Sequence, residues 1–237
     1  MTQKNTRAFT LIELLLVIVI VAILISLTLP ALGHIRDNAK ELGVQSTIGS
    51  HANIMSLYLA DYRDAYPALV PRGASSSTYI VGGQPYVING YFGQVYVWQF
   101  GLAEQYYDGR VTGELFKRPN RPPWLVSDYR YSASFMADPA FWNYRTRTGP
   151  EQWRGQRGQS VRYPSAKVLL ADDRIMEGFT TGESGGVIAL TDASARFIQR
   201  DDLAAPFPLG EGEWPGSWSS GRLGIHTVDG VFGRDIK

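Results

Sequence analysis

One acidic residue, Glu13, lies at the start of a long apolar stretch, where its chemistry needs an explanation. The residues from Leu14 to Leu29 are apolar except for Ser26 and Thr28. An ionised side chain is costly in hydrocarbon, so acidic residues within such segments usually have a function. Thr10 and Glu13 also have the S/T-x-x-E spacing of a capping box at the start of a helix. Glu13 is therefore open to two interpretations, a functional carboxylate and a helix cap.

The apolar stretch is long enough to cross a membrane. As a helix, the residues from Phe9 to Leu29 would span the ~30 Å of a hydrocarbon core. Lys4 and Arg7 precede the stretch, and basic residues there favour a cytoplasmic N terminus. A cleaved secretory signal is the alternative, but its apolar region is usually only roughly 7–15 residues long. We therefore expect a single-pass inner-membrane protein with its C-terminal domain outside the cytoplasm.

The residues AFTLIE, from Ala8 to Glu13, resemble the N terminus of type IV pilins and type II secretion pseudopilins. The resemblance implies cleavage by a prepilin peptidase between Ala8 and Phe9, followed by N-methylation of Phe9. It places Glu13 on the acidic position of that family and Pro30 on its helix-kinking proline. The family usually has glycine before the cleaved bond, whereas this chain has Ala8.

The resemblance also implies how subunits assemble. Cleavage would leave a charged amine on Phe9, which Glu13 of a neighbouring subunit can neutralise. A head-to-tail contact of this kind does not close on itself and therefore generates a helical filament. The expected partners are prepilin peptidase, copies of the chain or other pseudopilins, the inner membrane, and the secretion or pilus assembly machinery.

Apolar residues recur at helical spacing beyond Pro30, which predicts one long bent helix rather than two elements. The residues that carry the pattern are Leu32, Ile35, Ala39, Leu42, Val44, Ile48, Ala52, Met55, Leu59 and Tyr62. The predicted organisation is a cytoplasmic leader at 1–8, a transmembrane and assembly helix at 9–30, its amphipathic continuation at 31–66, and a globular β-rich periplasmic domain at 67–237.

Beyond Pro67 the sequence predicts an antiparallel β-sheet that packs on the amphipathic part of the helix, in an α+β, pilin-like fold. The region 72–93 is predicted to be a loop with short strands. Further strands are expected at Val95–Trp98, Tyr129–Ala133, Lys167–Ala171, Gly186–Leu190 and Ala195–Ile198, with a turn at Asp192–Ser194.

A G-x-S-x-G motif at Gly182–Gly186 raises the question of a serine nucleophile. A nucleophile elbow needs a helix after the serine, whereas a strand pattern follows Ser184. His34, His51 and His226 are scattered along the chain, so none is obviously placed as a base or as part of a metal site. We therefore expect a protein that is not an enzyme, with no catalytic residue.

The chain has no cysteine, which excludes disulfides, thiolate nucleophiles and cysteine metal sites. This absence favours a pseudopilin, because many type IV pilins close their C-terminal region with a disulfide. No cofactor is expected. Calcium is the alternative, because major pseudopilins often bind it near the C terminus, but the spacing of an EF-hand loop is missing and solvated turn carboxylates are favoured. The acidic candidates are Asp172, Asp173, Glu177, Asp192, Asp201 and Asp202.

The segment 141–163 combines five arginines and one acidic residue with interleaved aromatic residues. Such a mixture can bind phosphates, stack on bases or meet an acidic protein surface. The formal net charge of the chain is only +1, which gives no general argument for nucleic acid. A solvated loop whose aromatic residues pack on the sheet is the alternative. The candidate partner-binding residues are Arg145, Arg147, Trp153, Arg154 and Arg157.

Two classes of function remain open. The first is a structural subunit of a type II secretion pseudopilus or a type IV pilus-like filament. The second is a membrane-tethered extracytoplasmic binding or adhesive protein that does not form a filament.

Overall fold

The computed structural model describes residues 10–119, 126–175, 185–207 and 225–237. The chain divides into two compact units, Met1–Leu42 and Gly43–Lys237. The first long element, helix α1, extends over Leu11–Asp61 and includes Pro30. The prediction that the helix continues past this proline is confirmed. Arg63 and Asp64, which follow the helix, have left-handed φ angles of 54° and 64°, so the chain turns away from the helical path.

A hairpin of two short strands follows α1 in the second unit. Strand β1, Ser76–Val81, pairs with β2, Gln84–Asn89, in antiparallel register. Gly82 and Gly83 form the two-residue turn with φ angles of 56° and 76°, which glycine adopts without a steric cost. These strands confirm the short strands expected within 72–93. The one-turn helix α2, Ala103–Tyr106, comes next.

The main sheet has four antiparallel strands in the order β3-β4-β5-β6. Each strand pairs with the next along the chain, and every residue of β3, β4 and β5 is buried. The predicted turn between β5 and β6 is confirmed, because Asp192 Oδ1 accepts a hydrogen bond of 3.0 Å from the Ser194 N–H. The strands are β3 Tyr129–Tyr131, β4 Val168–Asp172, β5 Gly185–Leu190 and β6 Ala195–Gln199.

Within the second unit, the C-terminal part of α1 packs on this sheet domain through one face. The buried residues of that face recur every three or four positions and are Val44, Ile48, His51, Ala52 and Met55. Gly49 allows a close approach to the sheet, since a Cβ atom there would lie 3.3 Å from Ala195 Cβ. The Gln45 side chain donates a hydrogen bond of 2.6 Å to the Ala195 carbonyl. The fold is therefore α+β, as predicted.

The predicted strand at Val95–Trp98 is wrong. The structure has two 3₁₀ turns there, Tyr91–Tyr96 and Trp98–Gly101. Val95 and Trp98 are both buried at a spacing of three residues, which suits a 3₁₀ turn and not a strand. The Trp98 indole N–H donates a hydrogen bond of 3.0 Å to the Tyr129 carbonyl, so tertiary packing outweighs the β-propensity of this segment.

His51 has a specific role in this core. Its Nε2 lies 2.7 Å from the Leu115 carbonyl, which can only accept, so Nε2 carries the proton and Nδ1 accepts from the Tyr107 hydroxyl at 2.7 Å. The imidazole stacks on Phe116 with ring centroids 5.3 Å apart. Burial lowers the pKa of His51 from 6.5 to about 4, against an upward contribution from the hydrogen bond to Leu115. The folded protein therefore holds this histidine neutral.

The pH dependence of folding follows from this pKa. Between pH 6.5 and about 4 the unfolded chain binds a proton at His51 that the folded chain does not, so the free energy of unfolding falls as the pH is lowered through this range. The slope should reach about 1.4 kcal/mol per pH unit. Urea unfolding of the full chain in neutral detergent, followed by tryptophan fluorescence at several pH values, measures it.

His51→Gln is the matched control, because an amide can donate to Leu115 and accept from Tyr107 but does not titrate. The variant should have a flatter pH dependence in the same range. An identical slope in both proteins would show that His51 is not the group responsible.

Candidate functional site

The first turn of α1 is closed by a reciprocal contact between Thr10 and Glu13. The Thr10 N–H and hydroxyl each donate a hydrogen bond of 2.8 Å to Glu13 Oε2, and the Glu13 N–H donates to Thr10 Oγ1 at 3.2 Å. This is a capping box, so the cap predicted from the spacing exists. The other carboxylate oxygen, Oε1, accepts no hydrogen bond within the part of the chain that the structure describes.

The first part of α1 presents apolar side chains that the described chain does not bury. Every residue from Thr10 to Ala39 is exposed, including Leu14 and Leu29. By length and composition, α1 is able to cross a membrane. The two polar residues of the stretch are satisfied within the helix, because the Ser26 and Thr28 hydroxyls donate to carbonyls three residues earlier at 2.7 and 3.1 Å. The helix surface therefore suits lipid or the helices of other subunits.

The sequence-predicted residues at this end of the chain are only partly described. Ala8 and Phe9, the predicted cleavage residues, lie outside the described residues. Glu13 is in the first turn of α1, and Pro30 lies within the helix. Proline has no N–H and cannot donate to the carbonyl four residues earlier. This missing hydrogen bond is the local property that would allow the kink implied by the resemblance.

The aromatic side chains of the segment 141–163 pack into the domain. Trp153 stacks on Tyr91 with ring centroids 5.1 Å apart and contacts Phe92 edge-on at 5.3 Å. The Arg147 guanidinium lies 4.4 Å from the centre of the Phe141 ring. Trp153 and Arg147 are therefore held by the fold itself.

The remaining three candidates of the segment are exposed. Arg154 pairs with Asp138, with its Nε 2.5 Å from Oδ1. The guanidinium groups of Arg145 and Arg157 have no hydrogen bond or ion pair with any residue that the structure describes. A cavity of about 340 Å³ lies beside Arg154 and is also lined by Trp153 and Arg72. The segment thus combines a packed aromatic base with exposed cationic groups.

Two of the acidic residues considered as calcium ligands, Asp172 and Asp173, form ion pairs with arginines. Asp172 pairs with Arg174 at 2.8 Å and with Arg118 at 3.4 Å, and Asp173 pairs with Arg130 at 2.5 Å. Within residues 10–119, 126–175, 185–207 and 225–237, no three histidine or acidic side chains form a group that could hold a metal ion. Glu177 lies outside these ranges. Arginine side chains therefore neutralise the buried carboxylates of Asp172 and Asp173.

The histidines and the glycine-rich motif do not form a described catalytic arrangement. Ser184 lies outside the described residues, and the residues that follow it form β5, as the strand pattern predicted. His51 is in the core, and His226 is buried against Trp142 with ring centroids 5.7 Å apart. His34 is exposed on α1.

A buried polar cluster was not predicted from the sequence. Lys167 is fully buried, and its Nζ lies 3.1 Å from Asp235 Oδ2. The Thr227 hydroxyl accepts a hydrogen bond from Lys167 Nζ and donates one to Asp235 Oδ1. The three residues are separated by up to 68 positions, and each is of a type common on surfaces, so no local pattern indicates their contact.

Comparison with known families identifies the N terminus. The family model described as the prokaryotic N-terminal methylation motif matches residues 3–29. No curated protein and no solved structure matches the chain. The matched range contains Ala8, Phe9 and Glu13, so the predicted resemblance is confirmed. The pilin-like family that this motif marks is structural and not catalytic. The chain therefore carries the prepilin-type N-terminal motif of type IV pilin-like proteins.

Proposed function

We propose that this chain is a structural subunit of a type II secretion pseudopilus or a type IV pilus-like filament, assembled through its N-terminal helix. The observation that carries the proposal is the exposure of every residue from Thr10 to Ala39 in a helix whose N-terminal part lies within a prepilin-type motif. Burying a leucine side chain contributes roughly 1.5–3 kcal/mol, so this surface favours lipid before assembly and neighbouring helices after it.

Processing would create the second group of the proposed assembly contact, the Phe9 amine. A prepilin peptidase would remove the leader 1–8, and N-methylation would follow on the new Phe9 amine. Lys4 and Arg7 favour a cytoplasmic leader, which leaves the domain in the periplasm or in an extracytoplasmic filament. Each subunit then offers one amine and one carboxylate close to the membrane surface.

The capping box does not prevent Glu13 from serving as the partner of that amine. Both donors from Thr10 engage the same oxygen, Oε2, while Oε1 accepts no hydrogen bond among the described residues. A carboxylate has about four lone-pair sites, so one oxygen can cap the helix while the other accepts from a neighbouring subunit. The two interpretations of Glu13 are therefore compatible.

The first test is the N terminus of the purified full-length protein, determined by mass spectrometry. A chain that starts at methylated Phe9 is the expected result. Ala8→Gly should be processed at least as completely, because the family usually has glycine there, and Ala8→Leu should accumulate as precursor, because the side chain is larger. A wild-type chain that keeps Met1, or one that starts near His34, would contradict processing at Ala8.

The second test separates the charge of Glu13 from its capping role. Glu13→Gln keeps an oxygen that accepts from Thr10 but removes the charge, whereas Thr10→Ala breaks the cap and keeps the carboxylate. Glu13→Gln should insert and be processed yet lose most filaments, because an unpaired buried amine costs about 3–5 kcal/mol. Thr10→Ala should still assemble. Sheared filament fractions and electron microscopy measure the yield.

The opposite pattern would overturn this role. Normal filament yield from Glu13→Gln together with loss from Thr10→Ala would assign Glu13 to the cap alone. Glu13→Ala removes both functions and serves as the reference for complete loss.

A second candidate function is a membrane-tethered binding protein that does not form a filament. The exposed guanidinium groups of Arg145 and Arg157 favour it, since they have no partner within the described ranges. Trp153 and Arg154 of the same segment line the cavity of about 340 Å³. Phosphates and acidic protein surfaces are the ligand chemistries that arginines of this kind recognise.

Binding of a single-stranded oligonucleotide to the full chain tests the phosphate form of this candidate. Arg145→Ala/Arg157→Ala should weaken binding and reduce the salt slope by about 1.4, since two phosphate contacts are lost. Arg110→Ala is the control, because Arg110 is exposed, pairs with Asp108 and lies outside the segment. Equal binding by the double variant and the wild type would contradict a role for these arginines.

A further inference from the structure

The buried cluster of Lys167, Thr227 and Asp235 has the geometry of a reaction site. Lys167 immediately precedes β4 and is fully buried, and Asp235 is 2% exposed. Lys167 Nζ lies 3.1 Å from Asp235 Oδ2, so the amine and the carboxyl are in contact. We propose that the Lys167 amine and the Asp235 carboxyl condense into an intramolecular isopeptide bond that joins residues 225–237 covalently to the start of β4.

The backbone holds the two reacting groups in place. The Asp235 N–H donates to the Ala166 carbonyl at 2.9 Å, and the Asp235 carbonyl accepts from the Ala204 N–H at 2.7 Å. The Thr191 N–H donates to the Lys167 carbonyl at 3.0 Å. Both side chains therefore start from fixed positions, which reduces the entropy cost of bringing the reactive atoms together.

Two further groups contact the carboxyl at the atoms where a condensation needs them. The Val168 N–H, at the first residue of β4, donates to Asp235 Oδ2 at 2.9 Å and can stabilise negative charge that develops on this oxygen. The Thr227 hydroxyl accepts from Lys167 Nζ and donates to Asp235 Oδ1. Thr227 thus connects the nitrogen that must lose protons with the oxygen that must gain them.

Burial at this site favours a neutral Lys167 amine over an ammonium. Removing two charges from water is unfavourable, and the attraction between them offsets this cost only partly. Burial lowers the pKa of Lys167, against the upward effect of Asp235, so the Lys167 ammonium gives up a proton more readily here than in water. The Phe135 ring centre lies 5.8 Å from Nζ, a contact that favours the ammonium and so opposes part of the effect of burial.

The step balances without an oxidant or any co-reactant. One proton passes from the Lys167 ammonium through Thr227 to Asp235 Oδ1, which leaves a neutral amine and a neutral carboxylic acid. Nζ then attacks Cγ, and Oδ2 carries the negative charge while Val168 N–H holds it. A second proton from Nζ reaches Oδ1, which leaves as water as the Cγ–Oδ1 bond breaks and the Nζ–Cγ amide remains.

Tryptic peptide mapping of the folded full chain tests the proposal. The amide would block cleavage after Lys167 and join the peptide 163–174 to the peptide 235–237, with a mass lower by one water molecule than their sum. Lys167→Met removes the amine, so its digest should contain 235–237 as a separate, unlinked peptide. A folded wild-type protein that yields 163–167, 168–174 and 235–237 as separate peptides would overturn the proposal.

Variants of Thr227 distinguish a proton relay from a purely structural cluster by the amount of linked peptide. Thr227→Val removes the hydroxyl and should lose most of the linked peptide, whereas Thr227→Ser keeps the relay and should retain it. Ser134→Ala is the neighbouring control, because Ser134 donates to Thr227 at 2.9 Å but contacts neither reacting group. Equal linkage in the valine and serine variants would exclude the relay.

The linkage concerns the folded chain alone and is independent of filament formation. Peptide mapping can therefore fail while the Glu13 variants behave as expected, and the reverse also holds. The two sets of experiments test separate statements about the protein.

Discussion

The structure depends above all on an apolar helical surface that the described chain leaves uncovered. From Thr10 to Ala39 every residue is exposed, and nearly all of the side chains up to Leu29 are aliphatic. Exposing such an apolar surface to water is unfavourable, so we expect the surface to lie in lipid or against other helices. The helical form follows, because a helix satisfies its own backbone hydrogen bonds in hydrocarbon and Ser26 and Thr28 do the same for their hydroxyls.

From Val44 onward, the same helix packs on the domain through one face. There a stripe of mostly apolar residues on one face is buried in the domain, while many of the other positions are polar and Leu57 is an exposed apolar exception. A continuous apolar stretch and an amphipathic stripe are both visible in a sequence, so the helix was predictable along its length. The strands β4, β5 and β6 were predictable for a similar reason, because β-branched runs flank a turn at Asp192 that its own side chain stabilises.

What the sequence did not indicate depends on contacts between distant residues. Val95–Trp98 has the composition of a strand, yet Trp98 is held by the carbonyl of Tyr129 and the segment forms 3₁₀ turns. Asp172 and Asp173 are of a residue type that can bind a metal cation, but arginines from elsewhere in the chain form ion pairs with them. Local propensity cannot reveal such pairings, because each partner is individually ordinary.

The titratable side chains in apolar surroundings fall into two groups, according to whether the described chain supplies an ionisable partner for them. Lys167 and Asp235 are removed from water, but each has its partner within the same domain, so folding alone brings them together. Glu13 lies next to an apolar surface, and the described part of the first unit provides Thr10 as its partner but no cation. A carboxylate that is hydrogen-bonded but not neutralised still favours an approaching positive charge. Cleavage before Phe9 would create such a charge, the amine that we propose as the partner of Glu13 in a neighbouring subunit. Because the cap uses only Oε2, the same residue can close the first turn of α1 and take part in the proposed assembly contact.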